Sequence, residues 1–233
     1  MYEHGRGLVI RNEAEAARLY RLAALQGDAE AQCALGSLHE RGLGGLERDD
    51  DEAFHWYRLA ADQGDSEGLC RVGGFHAQGR GGLDRDERTA ARCFAAAAAL
   101  GDEEALCRLG EFYEQGRGGL DRDDRQAEAR YRRAARQGHP RAQSRLGAFH
   151  EEGRGGLPRD DAAAARFYRL AAEGGDAEGQ SGLGRFHRDG RGGLPPDPAE
   201  AARWFRRASA ARAAAASAGV GAEAAAAEAR LDY

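Results

Sequence analysis

Four histidines, three cysteines and five glycine-rich boxes are the residues of this chain whose types and spacing could do chemistry. His39, His76, His150 and His187 lie whole multiples of one interval apart, and so do Cys33, Cys70 and Cys107. Imidazole and thiolate are metal ligands, and paired thiols can staple a fold. The boxes read Gly42-Leu-Gly-Gly-Leu46 and then Gly-Arg-Gly-Gly-Leu from Gly79, Gly116, Gly153 and Gly190. Such boxes could cradle phosphate, hold calcium or bind RNA. They lack the Lys-Ser/Thr of a phosphate loop. Asp84-Arg85-Asp86 lacks the spacing and distal glutamate of a calcium loop. A helical pair separates the Arg-Gly-Gly copies, and the formal net charge of −5 disfavours general nucleic-acid binding. No Ser-His-Asp or paired-carboxylate arrangement stands out, and the chain has no lysine for ammonium or Schiff-base chemistry. No catalytic residue, metal or cofactor is expected.

The interval shared by these residues is 37, and it governs the whole chain. Leu35-Gly36, Val72-Gly73, Leu109-Gly110, Leu146-Gly147 and Leu183-Gly184 recur without insertion or deletion. A period of this size marks a solenoid or similar array, in which each unit contacts mainly its neighbours. Asp65 predicts the cap of a first helix, A, running to about Gln78, with Gly79 as its stop. In the fourth copy this start reads His139-Pro140, and proline is tolerated at a first helical position. Asp49, Asp86, Asp123, Asp160 and Asp197 predict the caps of a second helix, B. Its Ala53-Tyr57-Ala60 stripe and copies, spaced four and three, face the core. The mid-helix glycine costs about 1 kcal/mol against alanine, so it implies close approach of A to B. Same-column histidines or cysteines should stand one helix spacing apart, about 8–10 Å, too far for a shared metal or a disulfide. The cysteines then read as small buried thiols.

The pattern Leu109-Gly110, Phe112-Tyr113, Gly116-x-Gly118, Asp123, Ala127, Tyr131, Ala134-Ala135 and Gly138 resembles the Sel-like repeat (SLR) family, relatives of tetratricopeptide repeats. The resemblance implies an all-α fold, a right-handed αα-superhelix of antiparallel helix pairs, serving as an adaptor without catalysis. Some relatives are cysteine-rich and stapled in each repeat, and a cell-wall or β-lactam hydrolase activity has been proposed for them; that cysteine pairing is absent here. The expected organisation is a partial repeat over 1–27, with Asn12 in the cap column, five helix-pair repeats over 28–211, and an Ala-rich degenerate helix or tail over 212–233. The chain could also be a fragment of a longer array. No signal-like or membrane-length apolar run is seen, which points to the cytoplasm.

Columns that recur make the fold, so columns that vary are free to make function. On helix A the varying columns start at Glu30, Ala34, Ser37 and Arg41. They supply Arg71, Arg108, Arg145, Gln78, Gln115, Glu111, Glu152 and Arg185, expected to line a groove for a protein or peptide, with an acidic one favoured. Leucine at Glu111 is expected to be tolerated. A second, basic patch comprises Arg130, Arg133, Arg136 and Arg141; Arg130 replaces the bulky apolar residue of its column. From Asp28 to Glu67 there are 11 acids and 3 arginines, and from Arg122 to Arg145 8 arginines and 3 acids. Head-to-tail self-association and arginine-mediated RNA binding are the remaining partner readings, the latter disfavoured by charge.

Overall fold

The structure, a computed structural model, describes the backbone of residues 13–228 and the side chains of residues 13–216. Asn12 and the glycine remnant before it lie outside the described residues, as do residues 229–233. Five A helices of 13 residues each appear: α2 (Ala29–Arg41), α4 (Ser66–Gln78), α6 (Glu103–Gln115), α8 (Pro140–Glu152) and α10 (Ala177–Asp189). They alternate with the B helices α1 (Glu13–Leu25), α3 (Asp50–Asp62), α5 (Glu87–Ala99), α7 (Asp124–Arg136), α9 (Asp161–Glu173) and α11 (Pro198–Glu228). All regular structure among the described residues is helical, and consecutive helices pack as the pairs of an αα-solenoid.

The caps explain the boundaries. Asp28, Asp65, Asp102 and Asp176 accept from backbone N–H groups of the A helices' first turns. At α8 the histidine takes over this role: His139 Nδ1 accepts from the Ala142 amide at 3.2 Å. Each A helix ends on a left-handed glycine, as at Gly79 with φ 67°. The middle glycine of the box also fills a tight place. A Cβ on Gly155 would lie 2.8 Å from the Asp124 carbonyl oxygen. The box therefore docks on the first turn of the preceding B helix.

The chain divides into two compact units, residues 1–93 and 94–233, with the division inside α5. In the first, Cys33, Ala53, Tyr57, Ala60, Val72 and Phe75 form one core cluster. In the second, Ala164, Ala165, Tyr168, Ala172, Leu183 and Phe186 form another. The close approach of A to B that the mid-helix glycines implied is present, and those glycines face the B-helix rings. A Cβ at Gly110 would stand 2.7 Å from the Tyr131 ring, and one at Gly147 2.8 Å from Tyr168. These rings also meet phenylalanines of the next A helix edge-on, Tyr131 with Phe149 at 5.7 Å and Tyr168 with Phe186 at 5.5 Å. One helix, α11, runs through the last repeat and on through Gly219 and Gly221.

Candidate functional site

The box arginine is the first functional-looking group to place, and the structure gives it a structural partner set. Arg80 donates two hydrogen bonds to Asp50, at 2.9 and 2.7 Å, and a third to Glu40 at 2.8 Å. Its guanidinium lies 4.6 Å from the Phe75 ring centroid. Glu40 accepts from Tyr57 Oη through its other oxygen, at 2.9 Å. The constellation recurs around Arg154 with Asp124, Glu114, Tyr131 and Phe149. It recurs again around Arg191 with Asp161, Glu151, Tyr168 and Phe186. Each clamp ties three consecutive helices through a planar fork that lysine could not present. The hydrogen bonds from Arg154 hold the Asp124 carboxyl below its ordinary pKa. Sequence reasoning missed the clamp, although Glu40, Glu114 and Glu151 share a column.

The varying face of helix A starts from what surrounds it. Gln78, Gln115 and Glu152 border the clamps, accepting from Arg80, Arg117 and Arg154 at 3.3, 3.1 and 3.3 Å. In the first unit Arg71 pairs with Glu67 on its own helix at 3.2 Å and lies 5.9 Å from the Tyr57 ring centroid. In the second unit the charges cross between A helices. Glu104 on α6 meets Arg108 at 2.5 Å and the cap residue His139 at 2.8 Å. With Nδ1 accepting at the cap, His139 Nε2 is left to donate to Glu104. That bond, with Arg108 assisting, lowers the Glu104 pKa to about 2 against the opposing effect of burial.

Glu111 corrects the expectation placed on it. It is not an open surface position: it is 5% exposed, with Arg141 Nε 2.6 Å and Arg108 3.9 Å away. Burial pushes its pKa up, and Arg141, Arg108 and Arg145 oppose that rise. Leucine there would leave the arginines facing an apolar wall. Arg141 thereby leaves the basic patch and joins the A-helix face. Arg130 sits 5.5 Å from the Tyr113 ring centroid, a cation–π contact in place of the ring stacking that Phe167 makes on His150. Arg133 and Arg136 are exposed on α7.

Farther along the second unit the face opens into a cleft of about 580 Å³. Glu152, Glu178, Ser181, Arg185, Arg191 and Arg212 are among its lining residues. Arg185 donates to Glu151 at 3.1 Å and Arg145 lies 3.6 Å from Glu178. Arg212, from α11, donates to the neutral Ser181 hydroxyl at 2.9 Å. The cleft is thus a mixed-charge surface with four arginines, counting Arg159, and three glutamates, counting Glu151.

Two histidines of the shared column pack against rings. His76 meets Phe54 edge-on at 5.9 Å and His150 stacks on Phe167 at 5.5 Å. No group of three or more His, Cys, Asp or Glu among the described residues could hold a metal ion. Cys33, Cys70 and Cys107 are buried, and burial raises the thiol pKa of Cys33 and of Cys107. Cys33 Sγ also donates to the cap carboxylate of Asp65 at 3.1 Å. No helix among the described residues is long and apolar enough to cross a membrane.

The Sel1 repeat matches six consecutive stretches, residues 1–28, 29–65, 66–102, 103–139, 140–176 and 177–212. Among solved structures, a Sel1 repeat protein from Oxalobacter formigenes is 27% identical with a TM-score of 0.70, covering 85% of this chain and 82% of its own. A protective antigen of uropathogenic Escherichia coli displaying an SLR fold is 29% identical with a TM-score of 0.68. That match covers 84% of this chain but only 41% of the antigen. An immunity protein from Pseudomonas aeruginosa, 20% identical with a TM-score of 0.55, covers 89% of this chain and 76% of its own and shares the fold. No curated protein matches the sequence.

Proposed function

The chain belongs to the Sel1 repeat family, and from that premise we propose that it is a non-enzymatic scaffold whose A-helix face receives an extended, carboxylate-bearing segment of a protein partner. The observation that carries this reading is the cleft of the second unit, which opens on the varying columns and presents Arg185 and Arg212 beside polar serine and glutamate side chains. Arg212 rests on a hydroxyl, so an incoming carboxylate would give it a stronger, charge-assisted bond. Within the second unit Arg108 and Arg145 hold a neighbouring A-helix column bordered by Gln115 and Glu152, and Arg71 and Gln78 hold the same two columns in the first unit.

The test uses a fluorescein-labelled hexaglutamate peptide as probe, read by polarisation at rising salt. Wild-type protein should bind it, and the Arg185→Ala, Arg212→Ala pair should weaken binding roughly thirtyfold while reducing the salt dependence, each lost charge-assisted contact being worth about 1 kcal/mol or more. Replacing Arg71, Arg108 and Arg145 together should weaken it further. Replacing Arg130 and Arg133 on the B-helix side should not. Absence of binding, or loss only in the B-helix pair, would overturn the groove. Preference for an oligouridine probe would favour arginine-mediated RNA recognition, and turnover of a chromogenic β-lactam would favour a hydrolase.

A further inference from the structure

The B helices α7 and α9 turn arginines away from the core. On α7 Ala127, Tyr131 and Ala134 are buried, and Arg132, Arg133 and Arg136 stand exposed on the opposite side. On α9 Ala164, Tyr168 and Ala171 are buried, and Arg166, Arg169 and Leu170 are exposed opposite them. Spacings of three and four keep each set on one stripe of its helix. Arg132 and Arg169 share a column that continues on α11 as the exposed Arg206. Arg132 pairs with Glu128 on its own helix at 2.5 Å. Among the described residues no ion pair engages Arg133, Arg136, Arg166, Arg169 or Arg206. Glu173, in the column of Arg136, is an exposed acid beside them.

The two helices present this charge to a common surface. Burial lowers the pKa of His150 on α8, and Arg132 and Arg166 both lower it further, against Asp160 and Glu128. The fold does not require these charges. The columns of Arg166, Arg132, Arg133 and Arg136 hold His55, Arg58, Leu59 and Asp62 on α3. The formal net charge of −5 belongs to the whole chain. At physiological salt a charge is felt over only about 8 Å, so an approaching ligand meets the local sign.

The neighbouring side chains select among polyanions. Bases of a single-stranded nucleic acid stack on open ring faces, and the rings here are engaged. Arg130 lies 5.5 Å from the Tyr113 ring centroid, and Phe167 stacks on His150. Leu170, by contrast, is 49% exposed, next to Arg169 and in the column of Arg133. An apolar side chain among arginines suits the boundary of an anionic bilayer, where phosphates meet the guanidinium groups and the leucine enters the acyl edge.

We propose that the B-helix face of the second unit, with Arg132, Arg133, Arg136, Arg166 and Arg169 around Leu170, docks on a membrane of anionic phospholipid. The association is peripheral. Spread along two helices, the arginines suit a plane of headgroups more than one short acidic peptide. The surface is separate from the cleft and uses none of its lining residues.

The experiment is co-sedimentation of the full chain with vesicles, either pure phosphatidylcholine or equal parts phosphatidylcholine and phosphatidylglycerol. Wild-type protein should pellet with the anionic vesicles only, and rising salt should release it. The triple variant Arg133→Gln, Arg136→Gln, Arg169→Gln should weaken partition roughly a hundredfold, about fivefold for each arginine. Leu170→Ser should weaken it roughly tenfold. All four positions are exposed, and thermal melts check that the variants fold. The Arg185→Ala, Arg212→Ala pair should bind vesicles like wild type, so failure of the cleft reading leaves this one standing. Wild-type protein that stays in the supernatant, or pellets equally with neutral vesicles, would overturn the proposal. So would a triple variant that binds like wild type. Tighter binding of an oligouridine, lost in the triple variant and indifferent to Leu170→Ser, would assign the face to nucleic acid instead.

Discussion

In the first unit the arginine of the A-helix face, Arg71, reaches back one turn along α4 to Glu67, and both side chains remain about half exposed. In the second unit the same pair recurs along α6 between Glu104 and Arg108, and the charges of this face also reach from one A helix to the next. Glu104 meets the cap of α8, Glu111 meets Arg141 on α8, Glu178 on α10 lies near Arg145 on α8, and Arg185 on α10 meets Glu151 on α8. An exposed pair within one helix is local and weak, and salt screens it. A pair that crosses helices couples neighbouring repeats and fixes the surface it sits on. The same residue types in the same columns thus do different work, and burial decides which.

The largest expected effects come from the feature both units share, which sets a baseline for the comparison. Arg80→Ala in the first unit and Arg154→Ala in the second should each destabilise by about 2–3 kcal/mol, because each strands an aspartate and a glutamate from charged hydrogen bonds. Chemical denaturation of the two variants should give similar losses. Markedly unequal losses would mean that the clamp geometry does not carry the same weight in the two units.

The sharpest test exploits a single column. Gly74 and Glu111 stand one repeat apart, and a Cβ on Gly74 would meet nothing within 4 Å. Gly74→Ala should therefore stabilise by up to about 1 kcal/mol through helix propensity. Glu111→Ala should destabilise by about 1–3 kcal/mol by unpairing the arginines around a buried carboxylate. Melting both variants checks the sign, and a shared sign would erase the distinction between the units.

The pH dependence contributed by the A-helix face should be smaller, and it is expected from the second unit, where Glu104 and Glu111 lie. Glu104 is held at about 2 against an ordinary value of 4.5. A depressed carboxylate contributes stability that is complete above about 4.5 and lost as pH falls toward 2. Glu111, raised by burial, has the opposite sign: its contribution is present at low pH and lost as pH rises through its folded value. Glu104→Gln should therefore flatten the acid limb of the stability curve, and an unchanged limb in denaturation between pH 5 and about 2 would remove Glu104 from the linkage. Smallest of all, a double-mutant cycle on Glu67 and Arg71 should yield a coupling of only about 0.3–0.5 kcal/mol. A value above about 1 kcal/mol would make the first unit's face as strongly coupled as the second's.

The helix caps, the glycine stops and the close approach of A to B at the mid-helix glycine were legible because each recurs in one column and acts within one repeat. The clamp was not legible because its partners lie 30 and 40 residues apart, in different columns of different repeats. The acid column also breaks at Ala77 and Arg188, so it read as variable. Glu111 misled for a related reason. A varying column need not be exposed: here one is buried beside opposite charge supplied from the next repeat. His139 gave the same lesson at the cap, where an imidazole nitrogen performs the task of an aspartate and leaves its other nitrogen for Glu104.

The clamp has a consequence for how such a chain can change its length. Arg191 finds its glutamate 40 residues back at Glu151 and its aspartate 30 residues back at Asp161. Excising residues 115–151, one whole period, would leave Asp161 in place and bring Glu114 into the position that Glu151 held. The guanidinium would meet an identical pair. Excising residues 78–114 instead would present Ala77 to Arg154 and remove one arm of the fork. Recombination between copies should therefore be tolerated best in whole periods and at selected seams, while the loss of a single residue between the aspartate and its arginine shifts both arms of the fork out of register. Growth and shrinkage of the array are quantised by the spacing of a salt bridge.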